Sequence, residues 1–137
     1  MSRYFVTYAA TFVTMVLIDL LWLGVIAKPL YQQGIGHLMA EKPNLVAAAL
    51  FYLLYPVGIV MFAVAPDLAT ASWLKTFIVG ALFGFFAYAT YDLTNLATLR
   101  NWPASLAVMD MAWGSLVTGV SALAGKAVFD HFNRIGG

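Results

Sequence analysis

Asp19, Asp92 and Asp110 each lie in a stretch apolar enough to cross a membrane: Leu17-Ile-Asp-Leu-Leu-Trp22, Tyr88-Ala-Thr-Tyr-Asp-Leu-Thr-Asn95 and Met109-Asp-Met-Ala-Trp113. A charged side chain at bilayer depth costs roughly 2.5–3.5 kcal/mol on insertion scales, and such groups serve as proton, ion or substrate sites. Carboxyls gathered in one place can share a proton, hold a cation, or divide acid and base roles between them. Other polar groups recur at helical spacing around them. Trp22 and Trp113 each follow an aspartate by three residues, Tyr52 and Tyr55 are a turn apart, and Tyr88, Asp92 and Asn95 share a stripe by i, i+4, i+7 spacing.

Composition says what must position these residues. The 137-residue chain is 63% hydrophobic, 15% aromatic and only 9% charged, whereas soluble domains spend about a quarter of their residues on charge. Four apolar stretches, 5–27, 45–65, 76–98 and 104–126, approach the roughly 20 residues that a tilted helix needs to cross hydrocarbon. The expectation is an all-α polytopic membrane protein, with residues 1–137 forming one four-helix transmembrane bundle joined by short loops. The first stretch reads as a retained anchor, because it carries Asp19 and ends in Ala27-Lys28-Pro29 without a small-x-small cleavage signal.

Along the chain, Lys28-Pro29 predicts the end of the first span, and residues 31–44 the longest polar connection. Pro56 and Gly58 predict a kink in the second span. Gly80 and Gly84 form a small-xxx-small pattern in the third, suited to close packing within the chain or in a dimer. Asn101-Trp102-Pro103 predicts a tight turn that makes the third and fourth spans antiparallel neighbours. Arg3, Lys75, Lys126 and Arg134 fall on one side of the membrane, and Lys28, Lys42 and Arg100 on the other. Four against three favours both termini in the cytoplasm, with a dual-topology antiparallel dimer still open.

Depth joins the aspartates. With about 1.5 Å of rise per residue, Asp19 lies about 4–5 Å beyond the middle of the first span, and Asp92 and Asp110 about 7–8 Å from the middles of theirs, all towards the side opposite the N-terminus. The predicted cavity is acidic, bordered by Trp22, Tyr52, Tyr55, Tyr88, Asn95 and Trp113, and open towards His37 and Arg100. Within these spans no lysine or arginine stands near a carboxylate, and only Arg100 folded inward could supply the counter-charge. A shared proton, a captured cation or bound water is the compensation expected for lost solvation and mutual repulsion.

The plainer reading makes the aspartates interhelical hydrogen-bonding groups, although such bonds average only about 0.6 kcal/mol in membrane proteins. Trp73 and Trp102 suit an interfacial belt. An oxygen-ligated hard divalent cation on the aspartates, Asn95 and His37 fits the residue types, but no metal site is assigned. There are no cysteines. No haem, flavin or nucleotide motif, no nucleophile elbow and no di-iron Glu-x-x-His pattern is present. Net charge of +1 without a basic run gives no footprint for nucleic acid. The leading expectation is a membrane protein whose acidic pocket binds or moves a small solute or cation, coupled to protonation; whether it is also an enzyme stays open, with the balance against. The alternative is a membrane enzyme or enzyme subunit acting on lipid or fatty acyl groups through paired carboxyls. A structural or partner-binding subunit comes third. Membrane lipid, a small solute or cation, and a second copy of the chain are the expected partners.

The segments Leu17–Gly24, Phe51–Tyr55, Tyr88–Arg100 with Trp102-Pro103, and Asp110–Gly114 resemble a bacterial membrane-protein family catalogued as domain of unknown function 2177. Tyr91-Asp-Leu-Thr-Asn95 is the most specific part of the likeness, which runs from the first span to Gly114. The tail beyond Gly125 has no match, so His131 and Arg134 inherit nothing. The resemblance implies a four-helix integral protein of bacterial inner membranes and carries no activity with it.

Overall fold

The computed structural model describes residues 2–67 and 72–136, with side chains over 3–66 and 72–132; Arg134, counted above in the charge balance, lies outside the described side chains. Every regular element among the described residues is helical. Helix α1 (Ser2–Leu21) passes into a π-helical turn (Trp22–Ile26), after which come the short α2 (Lys28–Ile35) and a 3-10 turn (Gly36–Leu38). Helix α3 (Leu45–Ile59) likewise ends in a π turn (Val60–Val64), and α4 (Trp73–Thr98) and α5 (Ala104–Gly136) complete the chain.

Four helical stretches are long and apolar enough to cross a membrane: Arg3–Ile26, Leu45–Val64, Trp73–Thr98 and Ala104–Phe132. Their starts follow local chemistry. The Asn44 side chain accepts from the Ala47 amide at 3.1 Å and Ser72 does the same for Lys75 at 3.1 Å, satisfying amides that a helix start leaves without a partner. Asn101 turns the chain between α4 and α5 with φ of 59°, a left-handed conformation that asparagine tolerates better than most residues.

Two expectations change. The polar connection after the first span is partly helical: Pro29 sits in the first turn of α2, where its missing N–H costs nothing, so Lys28 opens a helix and does not close one. The fourth span also runs further, to Phe132, which brings Lys126 inside it. That lysine is fully buried, pairs with Asp130 at 3.5 Å and lies 5.6 Å from the centre of the Trp73 ring. It is sixteen residues from Asp110, about 24 Å along the helix, too far to neutralise it.

Helix α5 is the hub. Half of its most apolar window is buried, against 11% for α3, and it packs most extensively on α4 and then on α1. Glycines permit the α4–α5 approach: a methyl on Gly84 would strike the Gly114 carbonyl and Thr118, and one on Gly80 would lie 2.9 Å from Ala122 Cβ. The small-xxx-small face of α4 is thus used inside the chain. Helix α3 is the loosest. It touches α1, while α4 meets it chiefly through the π turn Val60–Val64. Pro56 lies within α3 without ending it, and Tyr8 donates to the nearby Leu53 carbonyl at 2.7 Å. One core joins Met15, Tyr55, Ile59, Val64 and Val117, and a smaller one packs Ile35 of α2 against Trp102 and Leu106.

Candidate functional site

Asp19 stands near the end of α1 and is only 5% exposed. Its two oxygens are both met: the Tyr52 hydroxyl from α3 donates to Oδ2, and Trp113 Nε1 from α5 donates to Oδ1 at 3.1 Å. Asp110, 6% exposed, receives the Tyr31 hydroxyl from α2 at Oδ1. Trp22 Nε1 in turn donates to the Tyr31 oxygen at 3.4 Å. The two chains of hydrogen bonds meet through the indoles, since Trp22 and Trp113 stack with centroids 4.3 Å apart and planes 7° from parallel. The two Asp-x-x-Trp segments are therefore cross-connected: Trp113 serves the aspartate of α1, and Trp22 serves Asp110 through Tyr31.

Tyr31 belongs to α2, outside the four candidate spans. Its phenol is held above the ordinary range, first by burial and then by the hydrogen bond and negative charge of Asp110.

A cavity of about 370 Å³ lies against this network, lined by Asp19, Trp22, Tyr31, Tyr88, Asp110 and Trp113 together with Leu23, Phe51, Tyr55, Ala87 and Tyr91. That volume is at the small end of ligand pockets, roughly 300–1,000 Å³. No lysine or arginine lines it. Tyr55 is fixed within the wall by its hydrogen bond with Thr118 Oγ1 at 2.8 Å, and its ring stacks on Phe51 and Phe83. Tyr88 lies over Gly114, where any side chain would collide with its ring.

Asp92 is placed differently. It is 1% exposed, does not line the cavity, and among the described residues neither carboxyl oxygen has a hydrogen-bond partner. The Asp110 carboxyl is its neighbour. Tyr52 touches the site through Asp19 without lining the cavity, while Asn95 is half-buried outside the wall. Arg100 is exposed, and among the described residues no lysine or arginine forms an ion pair with any of the three aspartates. Nor do three or more histidine, aspartate or glutamate side chains there gather around a position that could hold a metal ion. Two carboxyls face the cavity and the third is set back.

Sequence reasoning did not single out Tyr31 or Tyr91. Tyr91 carried a signal, being three residues from Tyr88 and so on a neighbouring face. Tyr31 carried none, because its segment reads as a polar connection.

The family model described as predicted membrane protein, DUF2177, matches residues 4–127. The chain belongs to this family. No curated protein and no solved structure matches it. The DUF2177 match takes in all three aspartates, both stacked tryptophans and Tyr31, but stops short of Asp130 and His131. With four candidate spans, this DUF2177 chain is a membrane protein whose exposed apolar side chains, such as Phe5, Leu17, Leu45 and Phe86, are suited to contact lipid.

Proposed function

We propose that the cavity binds, and helps to move, a small cationic or amphipathic solute in exchange for a proton. The supporting observation is that Asp19 and Asp110 both face one aromatic-walled cavity that holds no basic side chain. Phenol and indole donors solvate these two carboxylates without neutralising them, which leaves negative charge for a cation to meet. Indole and phenol faces add cation–π attraction. Asp92 has no such donors, and an ionised carboxylate buried without a partner costs far more than a neutral acid. It is the place where a proton is held, next to Asp110, so that cation and proton compete for one pair of carboxyls. On this reading the protein works in the inner membrane of a bacterium, with both termini in the cytoplasm, and a homodimer encloses a pathway that four helices alone are too few to surround.

Proteoliposomes carrying an internal pH indicator test this with phenethylammonium as probe. Addition of the amine is expected to drive proton movement. Asp19→Asn and Asp110→Asn should weaken binding at least tenfold, read by Trp22 and Trp113 fluorescence, while Asp92→Asn should abolish the coupled proton flux. Flux untouched in Asp92→Asn would sink the mechanism.

One observation supports a second reading. Phe51 and Tyr91 line the cavity and are themselves 41% and 52% exposed, which suits an opening through which a lipid could reach paired carboxyls. An altered lipid profile on deletion, reversed by the wild-type chain but not by Asp19→Asn, is its expected sign.

A further inference from the structure

Helices α3 and α4 do not close the cavity between them. Over Leu45–Ile59 their backbones are almost out of contact, and α4 packs instead on the π turn Val60–Val64 further along. Side chains still join the pair as far as Tyr55: Phe83 lies against Gly58, and the Tyr55 ring is 5.4 Å from Phe83 and 6.3 Å from Tyr88. Beyond Tyr55 the opening is flanked by Phe51 of α3 and Tyr91 of α4, both cavity-lining and both exposed by more than a third.

Taken from the middles of their spans, Phe51 lies about 5 Å and Tyr91 about 8 Å towards the side that carries the α4–α5 turn. Both are still within half of a hydrocarbon core roughly 30 Å thick. The opening therefore faces acyl chains and not water. On α3 the neighbouring Leu50 and Leu54 are exposed and apolar.

We infer that the ligand is a single-chain amphiphile with a protonated amine head, which enters sideways from this leaflet through the α3–α4 gap. This rests on the reading that Asp19 and Asp110 receive a cation. The head comes to lie among Asp19, Asp110 and the stacked indoles, and the chain passes out between Phe51 and Tyr91 into lipid. A cavity of about 370 Å³ holds the head and the first few methylenes. The rest of the chain stays in the bilayer, where it loses no hydrophobic solvation on binding. Lateral entry also avoids carrying the alkyl chain through water.

Wild-type protein in phosphatidylcholine vesicles tests the route with a dodecylammonium that carries a diazirine near its head, labelled sites being mapped by peptide mass spectrometry. Saturable labelling is expected at Phe51 and Tyr91, falling at least fivefold when excess phenethylammonium is present. The matching dodecanol diazirine should label without saturation. If phenethylammonium changes tryptophan fluorescence saturably but the photoreactive amine labels Leu17, Phe86 and Val108 as much as Phe51 and Tyr91, the lateral route is overturned and cation binding stands. If neither amine gives a saturable signal, both readings fall.

Discussion

Trp22 and Trp113 form a nearly parallel stack 4.3 Å between ring centres, although they are 91 residues apart in the chain. Each follows an aspartate by three residues, yet neither indole turns back to the aspartate of its own helix. Trp113 reaches Asp19, and Trp22 reaches Asp110 by way of Tyr31. The stack consequently ties α1, α2, α3 and α5 into one hydrogen-bonded unit, with Tyr52 as its contact on α3. Aromatic pairs of this kind add about 0.5–1.5 kcal/mol beyond area burial. The pair meets both carboxyls on the cavity wall, Trp113 directly and Trp22 by way of Tyr31.

Asp19→Asn and Asp19→Leu should separate structural from ligand-binding roles. An asparagine oxygen still accepts from Trp113, and its amide can donate to the Tyr52 hydroxyl, so unfolding in detergent should change by no more than about 1 kcal/mol. Leucine leaves both donors unmet, at about 1–3 kcal/mol for each one that loses its partner. Both variants should lose phenethylammonium affinity. An asparagine variant with normal affinity would reduce Asp19 to an interhelical contact.

The α4–α5 seam gives a test of packing alone. Gly84→Ala places a methyl against the Gly114 carbonyl and Thr118, where backbone must move, whereas Gly24→Ala meets nothing within 4 Å. The first should destabilise the protein by about 1–3 kcal/mol or more and the second hardly at all. Thermal unfolding of the two variants side by side measures the difference. Equal stability would mean that the helices do not approach as closely as the glycines allow.

The layer of the aspartates was legible in the sequence because helix rise is fixed, so depth follows from counting residues. Rotation about each axis is not fixed by counting. Hence Asp19 and Asp110 could be placed at similar depth, but the crossing of Trp113 to Asp19 could not be foreseen, nor could the set-back position of Asp92. The π turn at Trp22–Ile26 begins at a cavity residue and has no sequence signature, since it is a slip in hydrogen-bond register, with Ala27 N–H reaching the Trp22 carbonyl at 2.7 Å, in an otherwise apolar run. Tyr31 was hidden for a related reason. Residues 28–35 are too short and too polar to declare a helix, and α2 holds its place by packing Ile35 on Trp102 and Leu106.

Tyr31 supplies a prediction in alkali. Burial and Asp110 hold its phenol above the ordinary tyrosine value of 10.0, so it stays protonated where an exposed tyrosine ionises. A group whose folded value is raised contributes stability in full below its unfolded value and loses it as pH climbs through the folded one. The Tyr31 contribution should therefore be complete below about pH 10 and fade only in stronger alkali. Tyrosinate absorbance on titration should accordingly show the same amplitude up to pH ~10.5 in wild type and Tyr31→Phe. A smaller early amplitude in the variant would show that Tyr31 titrates as an ordinary exposed phenol.

Asp92 should be the aspartate whose replacement improves the fold. Both its oxygens are buried without a hydrogen-bond partner among the described residues, and its neighbour Asp110 is another carboxyl. Asparagine brings an N–H donor to the side of Asp110 and removes a proton site. Over an ionised Asp92 the hydrogen bond gained is worth about 0.5–1.5 kcal/mol, so Asp92→Asn should unfold at a higher temperature than wild type in the same detergent at a pH where the carboxyl has given up its proton. Stability raised together with loss of coupled flux is the pattern of a group kept for function at a cost to the fold. Lowered stability would instead make Asp92 a structural member of the bundle, and the proton would have to reside elsewhere.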